Sequence, residues 1–268
     1  MRHLILAAVA PERVGRLQGG AAGHFDVVAA RRWAEAFELI RARPVAMAVV
    51  DPTLSGEPRS HEIERLRLLF PSLPLLVYTA LEPSTAGVLL TLGRSGVKRA
   101  VFHPFEDSPA ALRAAIAAEL EQSASQQVLQ SMAGVLAGLP ERVRTGLAEM
   151  LGVGVGACTV ADLAGRVDVE RRTCERWFLR AGLPSPKAVM MVLRLLYAHR
   201  LLLDPGATVE DVALKLGYGK VKTMQAHCRE VFGLTAGELR ISLSIEEAVA
   251  VATERYFAKR SGAEWAAS

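Results

Sequence analysis

Short runs of mostly apolar residues recur through the first 122 positions, at 4–9, 25–29, 45–50, 75–78 and 100–102. Strict alternation would mark strands with one wet face; continuous apolar runs mark parallel strands covered on both faces. Between them the period changes. Trp33, Ala36, Phe37 and Ile40 follow the i, i+3, i+4, i+7 spacing of a helix with one buried stripe. Ile63, Leu66 and Phe70 share a face in the next segment, and Val88, Leu89 and Leu92 in the one after. A last helix begins with Ser108 as cap and Pro109 in the first turn, and turns Leu112, Ala115 and Ile116 inward. Five β-α units predict a doubly wound, five-stranded parallel sheet with right-handed crossovers over residues 1–122.

From residue 123 the strand signal stops. The polar stretch EQSASQQ marks a boundary, and a stripe of Val128, Leu129, Met132, Val135, Leu136 and Leu139 predicts a helix ended by Pro140. A second run carries Val143, Leu147 and Met150. These helices, residues 123–158, form a linker that either dimerises or packs on the next domain.

Residues 159–240 contain a repeat. TVADLAGRV begins at Thr159 and TVEDVALKLG at Thr208. Each Thr is an N-cap, with Asp162 or Asp211 three residues on to complete the cap. Ala164 and Ala213 leave room for a second backbone. A break comes next, at Val167-Asp168 in one copy and Gly217-Tyr218-Gly219 in the other. A second helix succeeds it, anchored by Cys174 and Phe178 or by Met224 and Cys228, and the copies close as AGLP and FGLT. Helix, tight turn, helix, written twice, predicts two helix-turn-helix units. Pro186 starts a long helix between them, stopped by Asp204-Pro205-Gly206. Residues 241–268 add one more helix and a tail, with Ser244 and Glu247 as a capping box.

Composition narrows the chemistry. With 268 residues, 51% hydrophobic and 22% charged, the chain has material for two cores. The net charge of +4 is modest, so a nucleic-acid partner has to be argued from local patches. Three cysteines without a CxxC pair, Cys158, Cys174 and Cys228, predict neither a disulfide framework nor a zinc site. The opening MRHLILAAVA is shaped like a short signal peptide, but Pro11 comes at once and a buried first strand is the stronger reading. Arg194 interrupts the most lipid-like later stretch, so no membrane span is expected, and the chain is expected in the cytoplasm. The glycine runs at 19–23 and 152–156 have the wrong setting for a phosphate cradle. Neither GxSxG nor HExxH occurs. No enzyme activity, cofactor or metal is expected.

In a doubly wound sheet the functional edge lies at the carboxyl ends of the strands. There the sequence places Asp51, Thr79 and His103, the last followed by Pro104-Phe105. This resembles the receiver domain of response regulators, which implies an Asp that accepts a phosphoryl group, a supporting Thr or Ser, a Lys before Pro-Phe, and an acidic pair that holds Mg²⁺. Asp51 and Thr79 match. The acidic pair is Ala7-Ala8, and His103 replaces the Lys. Alanines offer Mg²⁺ no oxygen, so a receiver-like domain without metal-dependent phosphorylation is expected; a phosphorylation-switched regulator is the alternative.

On the second helix of copy one, the face opposite Cys174 and Phe178 carries Arg172 and Arg176, flanked by Arg171, Thr173, Glu175 and Arg180. In copy two it carries Lys222, Ala226 and Arg229, flanked by Lys220, Thr223 and Gln225. Arg reads guanine, Gln reads adenine, and Lys more often meets phosphate. ATVEDVALKLGYGKVKTMQAHCREVFGLTAGELR resembles the signature of AraC/XylS-type regulators, with Ala213, Gly217, Tyr218, Met224, Cys228, Gly233 and Leu234 at packing or turn positions and Ala236 where Pro is usual. The resemblance implies a sequence-specific transcriptional regulator. Its expected partners are double-stranded promoter DNA and a second copy of the chain, with RNA polymerase a further candidate. A protein-interaction adaptor that has lost DNA binding is the rival reading.

Overall fold

The computed structural model describes residues 3–94, 97–152 and 159–258. Cys158, residues 153–156 of the glycine run and the tail from 259 lie outside the described residues. The chain divides into two compact units, residues 1–123 with Asp204–Ala207, and the remainder from Ala124.

The first unit alternates strands and helices: β1 (His3–Ala8), α1 (Pro11–Ala21), β2 (Phe25–Ala29), α2 (Trp33–Ala42), β3 (Val45–Val50), α3 (Ser60–Leu69), β4 (Leu75–Ala80), α4 (Pro83–Arg94), β5 (Ala100–His103) and α5 (Pro109–Leu120). The strands form one parallel sheet in the order β2-β1-β3-β4-β5. Every residue of β3 is buried, as expected of a central strand covered on both faces. Successive side chains go to opposite layers. Leu6, Ala8, Ala48 and Val50 face Trp33, Phe37 and Ile40 of α2, Ile63 and Leu66 of α3, and Leu92 of α4. Ile5, Ala7, Met47 and Val49 face Leu17 of α1 and Leu112, Ile116 and Leu120 of α5. The Ser108 side chain accepts a hydrogen bond from the Ala111 amide, capping α5.

The second unit is helical: α6 (Ala124–Ser131), α7 (Ala133–Leu136), α8 (Glu141–Gly152), α9 (Val160–Arg166), α10 (Arg171–Arg180), α11 (Pro186–Leu202), α12 (Val209–Lys215), α13 (Val221–Phe232), α14 (Ala236–Ser242) and α15 (Ile245–Val251), which runs into a π-helical turn over Ala252–Phe257. The single helix expected over 128–139 is broken at Met132, which leaves α7 as one turn. The final helix is also not uniform, because its second half widens into the π turn.

α11 is the hub of this unit. It has 17 residues, and 13 of them are buried, with Lys187, Met191 and Arg194 forming a stripe left exposed or half-buried. A helix apolar over most of its surface must be surrounded, and α11 touches α6, α8, α10, α12, α13, α14 and α15. α8 also lies close to α9, and a Cβ on Gly146 would stand 2.9 Å from Val167 Cγ1. Arg142 of α8 stacks 4.3 Å above the Trp177 ring of α10. The helices beyond residue 123 thus pack inside the second unit.

Four helices begin with a closed capping box, in which the side chain and backbone amide of the first residue exchange hydrogen bonds with the third residue beyond it. Thr208 is one of these starts. Thr208→Ala removes the oxygen that the Asp211 amide uses and is expected to destabilise the second unit by about 1 kcal/mol, read from denaturant unfolding followed by circular dichroism.

His199 is fully buried, and its Nε2 donates to the Leu243 carbonyl at 2.8 Å. Burial pushes its pKa below the ordinary value, and burial does the same to His227. The folded chain therefore holds these imidazoles neutral at pH values where the unfolded chain protonates them, below about 6.5. Their contribution to stability is complete above that pH and declines as the pH falls. Asp107, Asp162, Glu238 and Glu247 are held below the usual carboxylate range and stay charged in this window. The thermal midpoint is expected to drop between pH 6.5 and 5.5, and His199→Gln is expected to flatten that slope.

Candidate nucleic-acid interface and receiver-like pocket

The two copies of the repeat match in their hydrogen bonds. In copy one the Val169 amide bonds back to the Ala164 carbonyl at 3.0 Å; in copy two the Tyr218 amide bonds to the Ala213 carbonyl at 2.9 Å. This six-residue closure requires a left-handed residue just before it. Gly217 supplies it in copy two with φ +65°, and Asp168 in copy one with φ +51°. Asp168 is therefore the counterpart of the turn glycine. Asp tolerates that region better than most residues, at a cost of about 1 kcal/mol. The second helices end alike, with Gly182 and Gly233 also left-handed.

The turn of copy two is held from α11. Arg194, the charged residue in its apolar run, stacks 3.8 Å above the Tyr218 ring and donates through Nη2 to the Leu216 carbonyl. It serves the turn that presents α13. Cys174, Phe178, Met224 and Cys228 are fully buried. The cysteines act as small apolar anchors, and burial pushes the Cys228 thiol up to about 12.

With those anchors inward, Arg171, Arg172, Arg176 and Arg180 are exposed on α10, and Thr173 and Glu175 are half-buried. Glu175 takes Arg171 in an ion pair at 2.8 Å, and Arg176 Nη2 donates to Thr173 Oγ1 at 3.3 Å. On the second copy, Lys220, Lys222, Thr223, Ala226 and Arg229 are exposed and Gln225 is half-buried. A cleft of about 800 Å³ lies over the stripe of α11 that carries Lys187, Met191 and Arg194, with Arg171 of α10 and His227 and Glu230 of α13 at its sides.

At the carboxyl edge of the sheet in the first unit, Asp51 is fully buried. Its Oδ1 accepts from Thr79 Oγ1 at 2.9 Å and from the Thr53 amide and hydroxyl at 2.9 and 2.7 Å. Its Oδ2 faces Arg13 Nη2 at 2.6 Å. Arg13, 6% exposed, comes from the first turn of α1, just beyond β1. Residue spacing alone does not single it out, although its place one residue past Glu12 in that turn is the available signal. Asp51 and Thr79 thus meet at this edge, but His103 does not join them. Its Nδ1 lies 2.6 Å from Asp107 Oδ2, which also accepts from Tyr78 Oη at 2.6 Å; Arg16 stands 3.6 Å from the other oxygen. Burial opposes the charge of Asp107, but these partners outweigh it and hold the carboxyl below its usual range. Burial and the Asp107 carboxylate push the Tyr78 phenol upward. Two arginines one turn apart on α1 therefore serve two buried carboxylates.

The residues do not fit a divalent cation. Ala7 and Ala8 offer no oxygen, both are fully buried, and the cation next to Asp51 is already Arg13. A cavity of about 400 Å³ adjoins the pair, lined by Glu12, Thr53, Glu57, Glu82 and Thr85 among others. Among the described residues no group of three His, Cys, Asp or Glu side chains is placed to hold a metal, and no helix is long and apolar enough to cross a membrane.

Residues 163–241 match the family model of a helix-turn-helix domain. The chain is 33% identical over 104 residues to the HTH-type transcriptional regulator VirS of Mycobacterium tuberculosis, in two strains. That alignment covers 39% of this chain and 30% of the relative, so the chain spans under a third of the curated relatives it matches. Among solved structures, full-length FixJ from B. japonicum is 18% identical with a TM-score of 0.38, covering 82% of this chain and 98% of that one. A response regulator from Burkholderia pseudomallei is 20% identical with a TM-score of 0.36, covering 66% and 98%. Residues 163–241 are thus similar to a helix-turn-helix domain, and they follow, along the chain, a doubly wound parallel α/β unit.

Proposed function

We propose that the chain is a sequence-specific, DNA-binding transcriptional regulator of the cytoplasm, in which α10 and α13 enter the major groove of promoter DNA. One observation carries the reading. Two units with the same turn hydrogen bonds present exposed cations, Arg172 and Arg176 on one, Lys222 and Arg229 on the other. α11, about 26 Å long at 1.5 Å per residue, is long enough, once the widths of the units are added, to hold two such helices about one DNA turn, roughly 34 Å, apart. Arg172 and Arg176 suit guanine edges, Gln225 suits adenine, and Lys220 and Lys222 suit phosphates. The relative's name, a transcriptional regulator, agrees with this reading.

We further propose that the first unit works without phosphorylation, in self-association or partner contact. The support is the Arg13–Asp51 pair. Phosphoryl transfer to a carboxylate needs a free oxygen and a metal that neutralises developing charge. Asp51 has one oxygen with three hydrogen-bond donors and the other on a guanidinium.

Two measurements test these roles. On a duplex enriched from a random library, Arg172→Ala with Arg176→Ala is expected to weaken binding at least tenfold, at roughly 1–3 kcal/mol per bidentate base contact. Unchanged affinity and salt dependence would remove α10 from the interface. Incubation with acetyl phosphate and Mg²⁺, followed by intact mass, is expected to give no adduct that depends on Asp51; a stable one would restore the phosphorylation switch.

A further inference from the structure

The helix-turn-helix match ends at Ile241, but the chain continues and returns to α13. Ser244 opens α15 with a capping box, its amide donating to Glu247 at 2.7 Å. The π turn over Ala252–Phe257 comes after it. Each residue of a π turn bonds five positions on, not four, so the turn rotates the side chains beyond it. Tyr256 and Phe257 go into the core, while Arg255 stays at the rim and its Nη1 donates to the Phe232 carbonyl at 3.3 Å.

Phe232 is the last residue of α13. Its carbonyl is one of the four that a helix leaves without a partner, and it sits at the negative end of the helix dipole. Gly233, next along, is left-handed at φ +76°, and a Cβ there would stand 3.0 Å from Arg255 Nη1. The glycine is thus needed twice, for the turn and for the approach of the guanidinium. The brace has a second fixing point where His199 of α11 donates to the Leu243 carbonyl. α13 is therefore tied to the body of the unit before its start, through Arg194 and Tyr218, and beyond its end, through Arg255.

We propose that residues 244–258 are a brace that sets the angle at which α13 meets DNA, with Arg255 as its positioning residue. The inference rests on the DNA-reading role proposed above. Lys222 and Phe232 are about 15 Å apart along the helix, so Arg255 acts through α13 and touches no base. A site held on a rigid element loses precision when its supporting contact is removed.

The test uses full-length protein and a randomised duplex library, selected in parallel on wild type, Arg255→Ala, Arg255→Lys and Arg172→Ala. Wild type is expected to enrich a two-part sequence, and Arg172→Ala identifies the part read by α10. Arg255→Ala is expected to keep that part, to flatten the other, and to weaken binding to the wild-type duplex about twofold to fivefold. Arg255→Lys, which keeps the charge and a donor, is expected to restore both. The brace is overturned if Arg255→Ala enriches the same two-part sequence, or if it weakens both parts equally alongside a lowered thermal midpoint. A wild-type protein that enriches nothing would sink the DNA reading itself, and the brace with it.

Discussion

The burial of α11 on all but one narrow stripe, Lys187, Met191 and Arg194, is the constraint on which the second unit depends. Its other residues have little exposed face to fall back on, so each neighbouring helix is required to cover part of it. α10 and α13 are held against the same rod, and so are the helices on either side of the repeat. This is how two helix-turn-helix units, each too small to make a core alone, become one body. Arg194 shows the rule through its exception. A charge in a mostly buried helix is costly unless paired or bonded, and here the half-buried side chain reaches an aromatic face and a carbonyl at the turn before α13.

The first unit uses a buried charge differently. Its sheet brings Asp51 to the carboxyl edge, where the fold places function, but the partner is internal. Removing one member of a buried ion pair leaves the other uncompensated, at about 3–5 kcal/mol. Arg13 and Asp51 are therefore bound to each other's presence, and the edge becomes a structural joint between α1 and β3. Arg16, Tyr78, His103 and Asp107 form a second joint beside it. Both tie α1 across the carboxyl edge of the sheet.

Much of this is legible in the chain. Apolar runs mark the strands, but coverage on both faces holds for the central strands and not for edge strand β2, where Asp26 and Ala29 are exposed; the Thr-to-Asp spacing marks both repeat starts. With Cys174, Phe178, Met224 and Cys228 turned inward, the charged side chains of both helices lie outward. The features that escape depend on partners distant in sequence or on backbone angles. Arg13 looks like one solvated residue of an amphipathic helix until β3 folds under it. His103 groups with Asp51 by position because both end strands, yet its partner lies four residues ahead at Asp107. Asp168 reads as a departure from glycine, although it takes the glycine's backbone angle. The break at Met132 and the π turn obey no spacing rule, since tertiary packing sets them.

The two recognition helices are alike in frame and unlike in surface. At matching places copy one carries Arg172, Glu175 and Arg176, and copy two carries Lys222, Gln225 and Ala226. A guanidinium and an ammonium are not equivalent readers, because only the first offers a fixed planar fork. Glu175 holds Arg171, whereas neutral Gln225 has both a donor and an acceptor to offer a base. Under the proposed reading, one chain therefore recognises an asymmetric sequence, with guanine contacts concentrated under α10 and more backbone contact under α13. A helix that depends more on position than on base contacts benefits most from being held at both ends. That is where the chain places its additional helix and Arg255.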